Sequence, residues 1–303
     1  MDNKLESVNC NICRNDNFEL ISNKGQHNIP LSVGLCKECG LGYLNPRWNA
    51  DGYIEFYKNE YDKYYRPELI SNKSAVGFKI NPILQRLKDR DIVPNKLKTV
   101  LDIGSGAGDN LLDVRKQFTD SKLFAIEPSL ESQEVLKNNN INILSDDVNA
   151  NWDSKSTTKF DLIIMRHVLE HFLDPLAILK RVKNVLDEKG VLYIAVPNNL
   201  APNQSLEKSW FRVVHTYYFN KYSLKNILDL AGLDCIEIVE GDKFNAGEVF
   251  LMAKKGNLEK EIKIDKEHYI TQKAVFESVK KKQNSPVYKL TQTLKKMIKR
   301  IWS

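Results

Sequence analysis

A doubly wound α/β fold on a largely parallel sheet is predicted for the central part of this 303-residue sequence by three observations. Val100-Leu101-Asp102-Ile103 reads as an apolar strand carrying an acid near its end, and Gly104-Ser105-Gly106-Ala107-Gly108-Asp109 follows as a glycine loop that opens a helix. From there to Ala253, apolar runs of strand length alternate with amphipathic helical stretches, which is the pattern of βαβ units. Asp174-Pro175 adds a clear helix start, an N-cap acid followed by proline at the first helical position. In such a fold the ligand sits at the carboxyl ends of the strands.

At the N-terminus, Met1 to Ser7 is polar and charged and shows no secretory signal. No apolar run approaches the roughly 18 residues that span a bilayer, so a cytoplasmic protein is expected. The length suggests two units, and 42% apolar residues suffice for a sizeable interior. Four of the five cysteines form Cys10-x-x-Cys13 and Cys36-x-x-Cys39, 22 residues apart. Each pair turns two thiolates toward one point, so Cys10, Cys13, Cys36 and Cys39 are expected to hold a structural Zn2+ in a closed tetrahedral site. Gly40 after Cys39 favours a tight knuckle, and the pattern resembles a zinc ribbon, placed at residues 1–45 with metal standing in for a hydrophobic core. Disulfides and redox chemistry are the competing explanations, and a reducing compartment disfavours the first. Cys235, alone in an apolar strand, reads as a buried small residue.

Residues 46–95 form an aromatic-rich linker. Tyr43, Trp48, Tyr53, Phe56, Tyr57, Tyr61, Tyr64 and Tyr65 either line an acceptor pocket or pack the ribbon against the main domain. A helix is predicted from Phe78 to Arg90, with Ile80, Ile83, Leu84 and Leu87 on one face. Residues 96–254 then carry the α/β unit. Past its first loop come a strand Leu123 to Ile126, a helix from about Leu130 to Asn138, a strand near Ile141 and a strand Phe160 to Met165. A helix Asp174 to Leu186, a strand Val191 to Val196 and a helix Leu224 to Leu230 capped by Ser223 follow. Two closing strands, Asp234 to Val239 and Glu248 to Ala253, complete the unit.

A dinucleotide fingerprint requires a small residue at position 109, where this chain has Asp109. That acid, with Asp102 before the loop, would repel a pyrophosphate. S-adenosylmethionine (SAM) suits the site better, because it carries a sulfonium and an ammonium and no phosphate. Glu127 ends the next strand about 20 residues past the loop, where a ribose diol needs an acceptor.

At these residues the chain resembles the class I SAM-dependent methyltransferases. The matching segments are Leu101 to Gly108, Ile126-Glu127-Pro128, Phe160 to Ile164 with His167-Val168-Leu169-Glu170-His171, and Gly190 to Pro197. The resemblance implies a Rossmann-like sheet of seven strands with the last antiparallel, and a helical lid over the cofactor. It also implies SAM contacts from Asp102, Gly104, Ser105, Gly106, Gly108, Asn110, Glu127, Pro128, Asp146, Asp147 and Arg166. Similar enzymes acting on sugars and small metabolites carry a histidine followed by aromatics where this chain has His215-Thr216-Tyr217-Tyr218-Phe219.

His215 is therefore the first candidate for general base, since imidazole titrates near neutrality and this loop faces the ligand edge of the sheet. His167 is the second. His167-x-x-x-His171 on a helix would place both rings on one face, with Glu170 beside them, so a catalytic metal is a further option.

The tail differs from the rest. Residues 254–303 hold 14 basic and 5 acidic side chains, and the remainder of the chain is slightly acidic. Val287, Leu290, Leu294, Met297 and Ile301 recur at helical spacing among Lys289, Lys295, Lys296, Lys299 and Arg300, with Trp302 after them. A basic amphipathic tail over 255–303 suits an anionic membrane surface on the inner face; a partner protein and RNA are the other readings. A ribbon followed by this core resembles bacterial enzymes of deoxysugar and surface-polysaccharide biosynthesis. Sugar C-methyltransferases of that kind continue into a further α/β domain, whereas this chain continues into a short tail, so O-methylation of a sugar or glycan-type small acceptor is expected. An rRNA or tRNA base methyltransferase and a non-catalytic membrane or assembly adaptor remain the alternatives, and the sequence leaves the oligomeric state open.

Overall fold

The computed structural model describes residues 4–65, 82–92, 97–155 and 157–288, together with 290, 291 and 294. Five short strands open the chain: β1 (Leu5–Glu6), β2 (Phe18–Lys24), β3 (Pro30–Cys36), β4 (Gly42–Leu44) and β5 (Arg47–Trp48). Helices α1 (Ala50–Asn59), α2 (Tyr61–Tyr65) and α3 (Ile83–Lys88) lead into the α/β unit. There β6 (Thr99–Ile103), α4 (Asp109–Gln117), β7 (Lys122–Ile126), α5 (Leu130–Asn138), β8 (Asn142–Ser145), β9 (Phe160–Arg166), α6 (Pro175–Val185) and β10 (Leu186–Pro197) alternate. β11 (Tyr217–Tyr218), α7 (Lys221–Ala231), β12 (Leu233–Glu240), β13 (Glu248–Lys255) and α8 (Glu267–Asn284) close the fold.

The main sheet has the order β12-β13-β10-β9-β6-β7-β8. β6 to β10 pair in parallel, and β13, the last strand in the chain, runs antiparallel to both β10 and β12. The seven strands implied by the resemblance, with the last antiparallel, are present. Near-continuous apolar runs are needed because both faces of the sheet are covered. Alternate residues feed two cores: Leu101, Ile103, Ile163, Leu192 and Ile194 pack on one side with α6 and α7. Val100, Leu162, Ile164, Tyr193 and Phe250 pack on the other with α3, α4 and α5.

Helix boundaries follow local chemistry. Asp174 caps α6 by accepting from Ala177 N at 3.0 Å, with Pro175 at the first position. The cap of α7 is Asn220, one turn earlier than the Ser223 expected. Asn220 Oδ1 accepts from Ser223 N and Ser223 Oγ accepts from Asn220 N, both at 2.9 Å, so Ser223 serves as the reciprocal partner of a capping box. Gly232 ends α7 in the left-handed region at φ 68°.

The ribbon is built into the body of the protein. Its strands form an antiparallel sheet, β11-β4-β3-β2, whose outer strand β11 comes from after β10. Cys10, Ile12, Cys36, Cys39, Leu41 and Tyr43 belong to the same buried cluster as Leu101, Ile163 and Leu179. The ribbon thus has an apolar core shared with the sheet in addition to its thiols. Asn11 adds a polar tie, donating to Asp174 Oδ1 at 3.0 Å and accepting from Leu176 N at 3.2 Å.

The predicted helix from Phe78 to Arg90 is described from position 82 onward, and Ile80 lies outside the described residues. Ile83, Leu84 and Leu87 of α3 are buried against the sheet as expected. In the tail, α8 lies on the protein itself. Phe276 is buried against Phe211, and Gln272 is fully buried, donating to Asn199 O at 2.7 Å and accepting from Asn220 Nδ2 at 2.9 Å. Lys273 pairs with Glu19 of the ribbon at 2.9 Å. Gly40 must be glycine, because its φ is 72° and a Cβ there would meet the backbone of His268 at 2.6 Å. The start of the basic tail is therefore a strap across ribbon and core. Val287, Leu290 and Leu294 are exposed. Lys289, Lys295, Lys296, Met297, Lys299, Arg300, Ile301 and Trp302 lie outside the described residues. Among the described residues, no helix is long and apolar enough to cross a membrane. Cys235 is half-buried beside the core rather than fully enclosed.

Candidate active site

At the carboxyl end of β6 the chain turns through Gly104, Gly106 and Gly108, with φ of 72°, 54° and 87°. A Cβ at Gly106 would meet nothing within 4 Å, so this glycine faces open space that a ligand can approach. Asp102 is fully buried just before the loop. Its Oδ2 accepts from Asn110 Nδ2 at 2.8 Å, while its Oδ1 has no hydrogen-bond partner among the described residues. Burial raises the Asp102 carboxyl, the Asn110 bond and the Arg166 charge oppose that rise and Glu127 adds to it, leaving it at about 7. On the neighbouring strand end, Glu127 accepts from Gly106 N at 2.8 Å through Oε2 and from Ser129 N at 2.9 Å through Oε1. Each of its oxygens keeps a second lone pair.

Ser105 is buried in the loop, Pro128 is exposed, and Asp146 and Asp147 are exposed just past β8. Arg166 ends β9, its Nε 4.0 Å from Glu248 Oε2. An orphaned buried carboxylate oxygen, a second acid across the loop and an open glycine fit a cationic nucleoside such as SAM. A pyrophosphate would meet Asp102, Glu127 and Asp109 at the same place.

The four thiols predicted as a metal centre converge. Their Sγ atoms all lie within 4.8 Å of one another, with Cys10 to Cys39 and Cys13 to Cys36 at 3.4 Å. A zinc ion about 2.3 Å from each sulfur gives tetrahedral edges of roughly 3.8 Å, so the donor set fits Zn2+. All four sulfurs converge on one point, as a single metal site requires and two separate disulfides do not.

Beside the cofactor rim a cavity of about 360 Å³ opens where β9 and β10 end, at His167 and Pro197. His215 lines it and is buried. Thr216 holds it there, its Oγ1 donating to Glu170 O at 3.0 Å and to Phe172 O at 2.6 Å. These bonds pin the segment leading into β11 to the turn after β9, so the His215 and His171 rings meet edge to face at 4.9 Å. Neither ring nitrogen of His215 has a hydrogen-bond partner among the described residues. Burial, then the charges of His171, Arg212 and His167, push its pKa well below the usual histidine value, so it is neutral and able to accept a proton.

His167 and His171 do not share a helix. Only Leu169–His171 forms a single 3-10 turn, and His167 adopts a left-handed φ of 53° because its N–H continues the sheet by donating to Ala195 O at 2.8 Å. His167 Nε2 lies 2.9 Å from Glu248 Oε2 and its Nδ1 3.7 Å from Glu170 Oε1. Burial lowers its pKa, but Glu170 and Glu248 outweigh that and hold it at about 9. The imidazolium is therefore the neutral-pH form, and its stabilising pairing fades as pH rises through about 9. A ring protonated in this way has no lone pair to offer, so a base role for His167 requires that it first lose the proton these two carboxylates hold. The metal option also changes: the donor atoms of Glu170, His171 and His215, without His167, come within 4.8 Å of one another.

Two residues behind His167 escaped the sequence reading. Glu248 is fully buried, and Arg86 of α3, 1% exposed, reaches its Oε1 at 2.5 Å while forking onto Asp242 at 2.7 and 2.8 Å. An acid opening the apolar run Val249 to Ala253, and an arginine three residues after Ile83 on an apolar helix face, are the signals that mark them. The aromatic segment divides between its two readings. Tyr43, Tyr53 and Phe56 are packed inside, whereas Tyr61 and Tyr65 line the cavity and the Tyr57 hydroxyl lies 3.2 Å from His171 Nδ1.

Fold and site together define a doubly wound α/β protein with a nucleoside-cofactor rim and an adjoining polar cavity. The chain belongs to the methyltransferase-domain family, whose model matches residues 74–238, more than half of its length. It is similar to the ubiquinone biosynthesis O-methyltransferase of Glaesserella parasuis serovar 5, at 31% identity over 112 residues, covering 34% of this chain and 47% of that protein. The protein of the same description from Haemophilus ducreyi is 27% identical over 173 residues, covering 49% of this chain and 70% of the relative. The chain thus spans about half the length of the first relative and more of the second. Among solved structures, the plantazolicin methyltransferase BpumL, in complex with a pentazolic desmethylPZN analog and SAH, superposes with a TM-score of 0.52. It is 16% identical and the match covers 68% of this chain and 95% of that one, a likeness of fold.

Proposed function

We propose that this protein is a SAM-dependent O-methyltransferase that acts on a hydroxyl of a sugar or glycan-type small molecule. The observation that carries this reading is His215, a neutral imidazole with open ring nitrogens in a polar cavity beside the cofactor rim. SAM, when bound, supplies an electrophilic methyl on a good leaving group, so alignment and removal of water are the main demands on the protein. Asp102, Asn110, Glu127 and the glycine loop bind and orient the cofactor, with Ser105, Pro128, Asp146, Asp147 and Arg166 around it. His215 takes the proton from the acceptor hydroxyl. His167, charged and held by Glu248, fixes the wall on which Glu170 and His171 stand.

Asn203, Gln204 and Asn245 supply amides to the cavity, and Trp210, Tyr61 and Tyr65 supply flat faces. Amides and stacking aromatics together suit the hydroxyl-rich ring of a sugar. A phenolic hydroxyl, as in a quinone precursor, is the second reading, favoured by the names of the two curated relatives. A basic track for nucleic acid is not what the pocket offers, and the intact cofactor residues argue against a role as a mere adaptor. The test is mass spectrometry of products after incubation with SAM and, separately, a panel of nucleotide sugars and a catechol. Addition of one methyl to an oxygen of a sugar supports the proposal. Methylation of the catechol alone replaces it with the second reading.

A further inference from the structure

We infer that Arg212 recognises an anionic group, a carboxylate or a phosphate, on the acceptor. The inference rests on reading the cavity as the acceptor site and adds to it the charge that the acceptor carries. Arg212 lines the cavity with its guanidinium 5.8 Å from the centre of the Tyr65 ring. One donor is used internally, Nε to Ser209 O at 3.2 Å. Its terminal nitrogens have no hydrogen-bond partner among the described residues, and no carboxylate among them lies within ion-pair distance. Arg47 pairs with Glu6, Arg90 with Glu237, and Arg86 with both Asp242 and Glu248, while terminal nitrogens of Arg115 and Arg181 are taken up by backbone carbonyls.

The backbone around Arg212 is held tightly. Tyr218 bridges its N–H and C=O, each at 3.1 Å, and His215 N donates to its carbonyl at 3.1 Å. A guanidinium on a fixed backbone presents a planar fork, which matches two oxygens of a carboxylate or phosphate and ill suits a neutral ligand. Glu170 is the acid in the cavity wall, and it faces His167 and His171 at 3.7 and 4.0 Å. An acceptor bound by its anionic group at Arg212 would present a hydroxyl toward His215, three residues along the same loop.

The test is calorimetry on the full chain saturated with S-adenosylhomocysteine, using glucose 1-phosphate, glucuronic acid and methyl glucoside as probes, with Arg212→Gln and Arg212→Lys as variants. The anionic probes are expected to bind at least about tenfold more tightly than the neutral one. That advantage should vanish in Arg212→Gln and survive in part in Arg212→Lys. Whichever of phosphate and carboxylate binds more tightly names the group. The inference is overturned if neither anionic probe binds the wild type, if the neutral probe binds as well, or if Arg212→Gln leaves the preference intact. The cavity's role in transfer is judged separately by turnover of the His215 variant, so failure of one claim does not mask failure of the other.

Discussion

Replacing His215 with alanine is expected to lower kcat by about two to four orders of magnitude while leaving SAM affinity within a factor of about two, the range for loss of a positioned general base. The side chain lies in the acceptor cavity and makes no bond that supports the cofactor rim, so the two readouts should separate. The pH profile gives the sign. Because burial and neighbouring cations hold His215 well below the usual histidine value, it is unprotonated throughout the neutral range. The acid limb of kcat should lie well below pH 6.5 in the wild type and disappear in the variant. Single-turnover measurements with saturating SAM check this, and unchanged turnover in His215→Ala would remove the base from the account.

Loss of the metal is expected to have the largest effect on stability. Structural zinc contributes on the order of 10–16 kcal/mol in isolated fingers, as much as a whole domain's typical stability of about 5–15 kcal/mol. Here the ribbon shares a sheet and a buried cluster with the catalytic unit, so its collapse should spread. β4 pairs with β11, and β11 begins two residues after His215. Cys36→Ser, or prolonged chelation, should therefore lower the melting temperature sharply and abolish turnover together. Metal analysis of protein purified without chelator should give about one zinc per chain. A metal-free chain with an unchanged melting temperature would contradict this.

The framework was legible because its signals are local. The glycine loop, the proline at Pro175 and the apolar runs each act within a few residues, and the strands and helices they predict stand close to their expected positions. Two local expectations differ from the structure, for different reasons. Ser223 suits a cap by residue type, but Asn220 caps the N–H of Ser223 and Ser223 caps that of Asn220 in return. The helix expected through His167 and His171 assumed a period of 3.6, whereas His167 N is bound by Ala195 on the neighbouring strand, a contact between residues far apart in sequence. Arg86 and Glu248 stand out in the sequence only as charges in apolar runs, and their roles come from partners 107 to 162 residues away, while the role of Arg212 comes from having no acidic partner among the described residues. The docked helix α8 illustrates a further limit. It belongs to the basic tail by composition, but Gln272 and Phe276 decide where it packs.

The claim on which the rest depends is that the rim between Asp102 and Glu127 receives a cationic methyl donor. A titration of the full chain with SAM at pH 6 and pH 8 tests it most directly. Asp102 sits at about 7, so it is largely protonated at the lower pH and ionised at the higher, and a cation binds the ionised form better. Single-site binding of SAM should tighten from pH 6 to 8 by up to about tenfold in all, with no binding of NAD. Saturable binding of NAD with none of SAM, or SAM affinity that falls as pH rises, would contradict it.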